Sequence, residues 1–490
     1  TIRQSYNIND YTGILLCAID FVDGTREHYQ LPIAWNTEPE WLDFFLQFND
    51  RYIIAQVGEP AEIILSDAVP RANFRKELYL SIKEGRTPEN GLTADRGKVL
   101  TNEGKEVASH LPNIDSSNTA IIYNDRYFFK LFRKLDEGLN PDLELVRFLS
   151  EQTSFKNSPV YAGSLSVGSF GDPGFINLGL MIGKIDNRGD AWQLFQELTE
   201  KYYTAILASP APAEVPSFQP ANNYDDINDT TKSLLARGTY EWAALLGQRT
   251  GEMHNALASS SPEFPDLKPE PLTANYRNEI FTGAKKLLDR QFAELSQKLA
   301  GLTGDQLIDA QAVLARRDEV EARLAAMRDR DIPIDMIRIH ADYHLGQVLY
   351  NNSDFYIIDF EGEPLLSIPE RRRKRPSFKD VAGMIRSFHY AAQGQLLLNP
   401  KYTDEERKML TPWGELWFRH IRHAFLQNYM AVTAGTTFVP KDAVDREDLL
   451  DFFILEKAIY EVAYELNSRP TWLSIPLRGV LFALIDNAGQ

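Results

Sequence analysis

The chain has 490 residues, 43% hydrophobic and 25% charged, ordinary globular values that leave room for two or three domains. Its formal net charge of -17 disfavours a nucleic-acid or anionic-membrane partner. The single cysteine, Cys17, rules out a disulfide framework within the chain, and no apolar run approaches the length of a membrane span, so a cytoplasmic location is expected.

The chain opens on Thr1 rather than Met, which suggests an excised or processed piece of something longer. Residues 1–95 read as a β-rich N-terminal cap. Tyr11 to Phe21 and Arg26 to Ile33 form an antiparallel pair across Asp23-Gly24-Thr25. Arg51 to Val57 and Glu62 to Leu65 read as further strands, and Ala72 to Lys83 has helical spacing.

Residues 96–190 read as a second β-rich subdomain. Thr119 to Tyr123 and Arg126 to Phe132 flank the two-residue turn Asn124-Asp125, and both turn residues tolerate positive φ. Asn140-Pro141-Asp142 opens a helix, with Asn as N-cap, Pro at the first position and acids in the first turn. Val160 to Ser166 and Leu178 to Ile185 read as later strands.

Residues 191–490 read as mainly helical. Helices are expected over Ala191 to Leu207, Lys232 to Leu257, Asn275 to Ala300, Gly304 to Asp329, Phe378 to Gln395, Asp404 to Ala434 and Arg446 to Asn467, with a loop over Ser209 to Asn228. The run Arg371-Arg372-Arg373-Lys374-Arg375 reads as a solvated loop.

The chemistry-bearing stretch lies between these helices. Asp342 and Gln347 in Arg338-Ile339-His340-Ala341-Asp342-Tyr343-His344-Leu345-Gly346-Gln347 are five positions apart, the spacing of the Asp and Asn in a kinase catalytic loop. Val348 to Tyr350, the turn Asn351 to Asp354 and Phe355 to Ile358 read as a hairpin, whose open end brings Gln347 beside Asp359. Phosphoryl transfer requires positioning, Mg²⁺ on the phosphates and a group to take the proton of the attacking hydroxyl. Asp342 is the expected base, and Gln347 and Asp359 offer the oxygen ligands that Mg²⁺ prefers. Lys130, in an apolar strand, is the expected phosphate-holding lysine, with Glu144 one turn into the next helix as its partner. Ser117, Asn118 and Thr119 precede the hairpin, where a phosphate-binding loop is expected, and the adenine is placed near Leu180 to Ile185. ATP and Mg²⁺ are the implied cofactors.

These motifs resemble the maltokinases, sugar kinases of the aminoglycoside-phosphotransferase and choline-kinase superfamily. The matching residues are Ser117 to Thr119, Lys130 to Arg133, Asn140 to Asp142, His340 to Leu349, Ile357 to Pro364, Lys379 to Phe388 and Tyr464 to Trp472. The resemblance implies an α+β, bilobal, protein-kinase-like fold. It would have a small β-rich cap, an ATP lobe and a large helical C-terminal lobe. It further implies ATP-dependent phosphorylation of maltose at the anomeric hydroxyl, giving maltose 1-phosphate for α-glucan synthesis. The alternatives are a kinase of another sugar such as glucosamine, or a non-catalytic kinase-like domain regulating a fused or partner trehalose synthase. Ala341 stands where the family has Gly. Ala120 stands where it commonly has Ser.

Sugar recognition needs hydrogen-bonding groups and aromatic faces. His344, Glu361, Arg386, Tyr390, Tyr464, Arg469 and Trp472 are the expected acceptor residues, with Glu363 close by. Arg386 and Tyr390, four apart on one helix, share a face. Asp380 reads as an N-cap or structural acid rather than a substrate ligand.

Overall fold

The structure is a computed structural model. It describes residues 1–36, 52–58, 63–87, 91–100, 107–113, 118–168, 170, 174–209 and 214–485. The chain is α+β, with a β-rich N-terminal part and a mainly helical C-terminal part. It divides into two compact units. Unit 1 is Thr1–Ile185 with Pro364–Arg372, and unit 2 is Asp186–Glu363 with Arg373–Gln490.

Unit 1 holds two antiparallel sheets. The first has the order β1-β2-β3-β5-β4, formed by β1 (Ile2–Asn9), β2 (Thr12–Asp20), β3 (Arg26–Asn36), β4 (Ile53–Val57) and β5 (Ile63–Asp67). In β2 the residues Ile14, Leu16 and Ala18 are buried, the period of two that marks a half-buried strand. In β1 Tyr6 alone is buried, so this strand carries no alternation to read. Helix α1 (Ala72–Glu84) buries Phe74, Leu78 and Ile82.

The second sheet has the order β6-β11-β12-β9-β8-β7. Its strands are β6 (Leu92–Arg96), β7 (Ser109–His110), β8 (Thr119–Tyr123), β9 (Tyr127–Leu131), β11 (Tyr161–Val167) and β12 (Ile176–Gly183), while β10 (Lys134–Leu135) pairs with β3. The expected boundary at residue 95 falls inside β6, which is bonded to β11. Asn124 and Asp125 join β8 to β9 at φ 50° and 55°, as a tight primed turn requires. Helix α2 (Pro141–Gln152) starts as expected, with the Asn140 side chain accepting from the Asp142 N–H at 2.8 Å.

Unit 2 is built mainly from helices: α3 (Ala191–Ala208), α4 (Asp229–Leu234), α5 (Arg237–Leu257), α6 (Ala274–Lys298), α7 (Gly304–Ala315), α8 (Arg317–Asp329), α9 (Phe378–Leu398), α10 (Asp404–Val432), α11 (Ala443–Ser468) and α12 (Ser474–Ala483). Two expected single helices are each divided. The chain is extended at Ala236 (φ -58°, ψ 137°), which separates α4 from α5. Arg316 (φ -102°, ψ 18°) separates α7 from α8. Helix α12 is mostly apolar, with Arg478 its one charged residue, and lies outside the helices expected from the sequence. Helices α5 and α10 cross closely because Gly247 has no side chain. A Cβ there would lie 2.1 Å from the Phe425 carbonyl oxygen.

A small sheet interrupts the helices. Strands β14 (Val348–Tyr350) and β15 (Phe355–Ile357) form the expected hairpin, and β13 (Gly189–Asp190) adds to β14. Asp354 in its turn takes both nitrogens of an Arg249 fork, at 2.7 and 2.9 Å. This bidentate pair fixes the hairpin to α5.

The basic run is not the solvated loop expected. Arg371 is buried and pairs with Asp136, and Arg372 pairs with Glu144, all within unit 1. Within unit 2, Arg373 pairs with Glu279 and Lys374 with Glu270. Each of these cations finds an acid distant in sequence, which local charge patterning cannot reveal.

Candidate active site

The loop before the hairpin hangs on one carboxylate. Asp380, buried near the start of α9, accepts from the His340 N–H at 2.7 Å and the Ala341 N–H at 2.9 Å. His254 of α5 reaches the same carboxylate through Nε2 at 3.1 Å, and its Nδ1 meets the Tyr429 hydroxyl at 3.0 Å. The structural role expected for Asp380 is therefore to hold the backbone that presents Asp342. Ala341 sits at φ 70°, a left-handed conformation that costs a Cβ-bearing residue energy.

His340 spans the loop and the hairpin, its Nε2 donating to the Ile358 carbonyl at 2.9 Å. The Ile358 N–H donates to the Gln347 carbonyl at 3.0 Å. The hairpin thus closes with Gln347 beside Asp359: Gln347 Nε2 lies 3.0 Å from Asp359 Oδ2. Asp359 also sits at positive φ, 67°. Two strained non-glycine residues in one loop-and-hairpin unit are the kind of outlier that clusters at functional sites.

His344 is half-buried, and its Nδ1 accepts from the Gly346 N–H at 3.1 Å. A ring nitrogen that accepts is unprotonated, so the proton sits on Nε2. Burial pushes the imidazole pKa down, and the nearby Asp342 charge opposes that shift. Glu361 and Glu363 are half-buried in the turn after Phe360.

Most of the expected acceptor residues are brought together on α9, α11 and the turn after α11. Tyr390 donates to Glu465 at 3.1 Å and stacks on Trp472, with ring centroids 6.2 Å apart and planes 29° apart. Arg469 donates to both Glu465 oxygens at 2.7 and 3.0 Å, and its guanidinium lies 4.5 Å from the Trp472 ring and 5.1 Å from the Tyr464 ring. Burial raises the Glu465 carboxyl pKa, and Arg469 opposes this. Tyr464 is 47% exposed.

Arg386 is placed differently from expectation. It is 3% exposed, and it donates to Glu461 at 2.7 and 2.9 Å and to His389 Nδ1 at 2.9 Å. Its guanidinium is consumed by packing partners, so its geometry is that of a support for α11. Sequence reading missed Glu461 and Glu465. Their spacing with Arg469, four positions at a time along one helix face, was the available signal.

In unit 1, Lys130 points away from the buried side of β9, and its Nζ donates to Asp142 at 2.8 Å. Asp142 is thus a carboxylate that holds it. Glu144, the expected partner, is buried and receives both nitrogens of an Arg372 fork at 2.7 and 3.0 Å. The Asn118 carbonyl and Thr119 hydroxyl each accept from Arg133 at 3.2 Å. Ser117 lies outside the described residues.

No family model matches the chain. Among curated proteins, the chain is 25% identical over 239 residues to a glucosamine kinase of Streptacidiphilus jiangxiensis, covering 48% of this chain and 47% of that protein. It is 27% identical over 180 residues to a glucosamine kinase of Mycolicibacterium smegmatis, covering 36% and 42%. The chain thus spans about half the length of the curated relatives it matches. A solved structure of glucosamine kinase in complex with glucosamine, ADP and inorganic phosphate superposes with a TM-score of 0.63 at 16% identity, over 98% of this chain and 93% of that one. The fold is accordingly the kinase-like fold of glucosamine kinase.

Proposed function

We propose that the protein is an ATP-dependent kinase that transfers the γ-phosphoryl group of ATP to a hydroxyl of a small sugar. The observation that carries this reading is the approach of Gln347 to Asp359 at the open end of the hairpin, with Asp342 on a loop strung from Asp380. The similarity to glucosamine kinases supports the same reading.

In this mechanism Asp342 accepts the proton of the attacking sugar hydroxyl, general-base work worth about 10²–10⁴-fold in rate. Lys130, oriented by Asp142, holds the nucleotide phosphates. Asp359 and Gln347 would hold Mg²⁺. A carboxylate and an amide are hard oxygen donors of the type that ion takes, and the Gln347 amide needs only to turn its oxygen inward. Bound there, Mg²⁺ would neutralise phosphate charge. Tyr464, Arg469 and Trp472 supply aromatic faces and donors for the sugar.

Two acceptors are to be separated. Glucosamine is favoured by the curated relatives, and maltose, at its anomeric hydroxyl, by the resemblance of the motifs to maltokinases. ADP release with Mg·ATP and a panel containing both sugars, followed by NMR of the product, distinguishes them. Asp342→Asn should abolish turnover while leaving the unfolding temperature unchanged. Absence of ADP release with every sugar of the panel would refute the kinase reading.

A further inference from the structure

Helix α11 carries one lysine to which the mechanism above gives no task. Lys457 is half-buried, and among the described residues no carboxylate lies within ion-pair distance of it. Three acids of the same helix are already paired. Glu456 takes Lys379 at 3.0 Å, Glu461 takes Arg386 and Glu465 takes Arg469. The Lys457 ammonium instead lies over the Tyr460 ring, 5.3 Å from its centre.

Two adjacent residues at the start of α9 tether the segments that carry the expected base and this cation. Asp380 holds the backbone of His340 and Ala341, and Asp342 follows immediately. Lys379, the neighbour of Asp380, holds Glu456, and Lys457 follows immediately. The charges of both Asp342 and Lys457 act on His344, and those of Glu363 and Asp342 act on Tyr460. His344 accepts at Nδ1 and so cannot itself supply the positive charge. In a chain of net charge -17, a half-buried lysine with no ion-pair partner among the described residues is suited to an anion that is present only in passing.

We infer that Lys457 is a catalytic residue that contacts the peripheral oxygens of the phosphoryl group during transfer, and afterwards those of the sugar phosphate. This inference rests on the kinase reading. In the step, the sugar oxygen forms a bond to the γ-phosphorus and the bond to the β,γ-bridging oxygen breaks. ADP departs with that electron pair, and the hydroxyl proton goes to Asp342. Charge then spreads over the three oxygens of the phosphoryl group, where a preplaced ammonium acts most strongly. The Tyr460 ring face holds the ammonium in place.

The test compares Lys457→Met, Lys457→Gln and Lys457→Arg with the wild-type protein, following ADP release with Mg·ATP over a range of sugar concentrations. Both neutral variants should lose about 10²–10³-fold in kcat, with the sugar KM within about threefold of wild type. Lys457→Arg should recover at least about tenfold of that loss, since it restores the charge. Unchanged kcat in the neutral variants would overturn the inference. So would a raised sugar KM at unchanged kcat, the mark of a simple sugar contact. Two neutral variants guard against one failing to fold. A wild-type protein inactive with every acceptor refutes the kinase reading itself and takes this inference with it.

Discussion

The carboxylate of Asp380 lies 2.9 Å from the backbone nitrogen of Ala341, the residue before the expected base. The same carboxylate serves His340 at 2.7 Å and His254 at 3.1 Å. Three donors on one buried acid make Asp380 the anchor of the loop. Asp380→Ala should destabilise unit 2 by about 3–5 kcal/mol, because it orphans several buried donors. Urea unfolding of the variant measures this, and a loss below about 1 kcal/mol would be that of an ordinary exposed contact.

Ala341 itself is the cheaper half of that relationship to improve. At φ 70° its Cβ is strained, so Ala341→Gly should stabilise the protein by about 1 kcal/mol after the added unfolded-state entropy is subtracted. The urea midpoint should rise without a change in slope. An unchanged midpoint would mean that the surrounding bonds already absorb the strain.

Gly479 of α12 is fixed by Arg386. A Cβ added there would meet the Arg386 Nη1 at 1.9 Å, and the guanidinium could not yield without leaving Glu461 and His389. Gly479→Ala should therefore cost about 3 kcal/mol or more, the scale of a broken buried pair. Far-UV circular dichroism with urea titration reads the loss. A second readout separates packing from chemistry: KM for the sugar should change less than stability does.

His420 gives the protein an acid-sensitive element. It is 1% exposed, neither ring nitrogen has a hydrogen-bond partner, and Phe218 packs against the ring with centroids 5.0 Å apart. Burial, with a smaller contribution from His423, lowers its pKa to about 4 from 6.5. The unfolded chain therefore takes up this proton at higher pH than the folded one does. The stability contributed by the neutral ring is intact above pH 6.5 and is lost as pH falls toward 4, a loss of about 2–3 kcal/mol at pH 4.5. His420→Leu should flatten that part of the stability profile. An identical acid slope in the variant would exclude His420 as its source.

The parts of the site legible in the sequence are those set by local chemistry. The Asn124-Asp125 turn, the Asn140-Pro141 helix start and the closure that brings Gln347 to Asp359 each depend on a few consecutive residues. What escaped depends on the rotation of elements against distant ones. Asp142 and Glu144 both lie in the first turn of α2; Lys130 bonds the first, while the second pairs with Arg372, more than two hundred residues later. Arg386 and Tyr390 do share a helix face, but Glu461 claims the first and Glu465 engages the second. The sequence announced the charged residues and left their pairing to the tertiary fold.

The membership of Pro364–Arg372 in unit 1 bears on any attempt to produce that unit by itself. A fragment ending at Ile185 would lack Arg371 and Arg372, leaving the buried Glu144 carboxylate stripped of its guanidinium. Autonomous expression therefore calls for grafting the excursion 364–372 back onto the fragment, for example through a short glycine-serine tether, rather than for simple truncation.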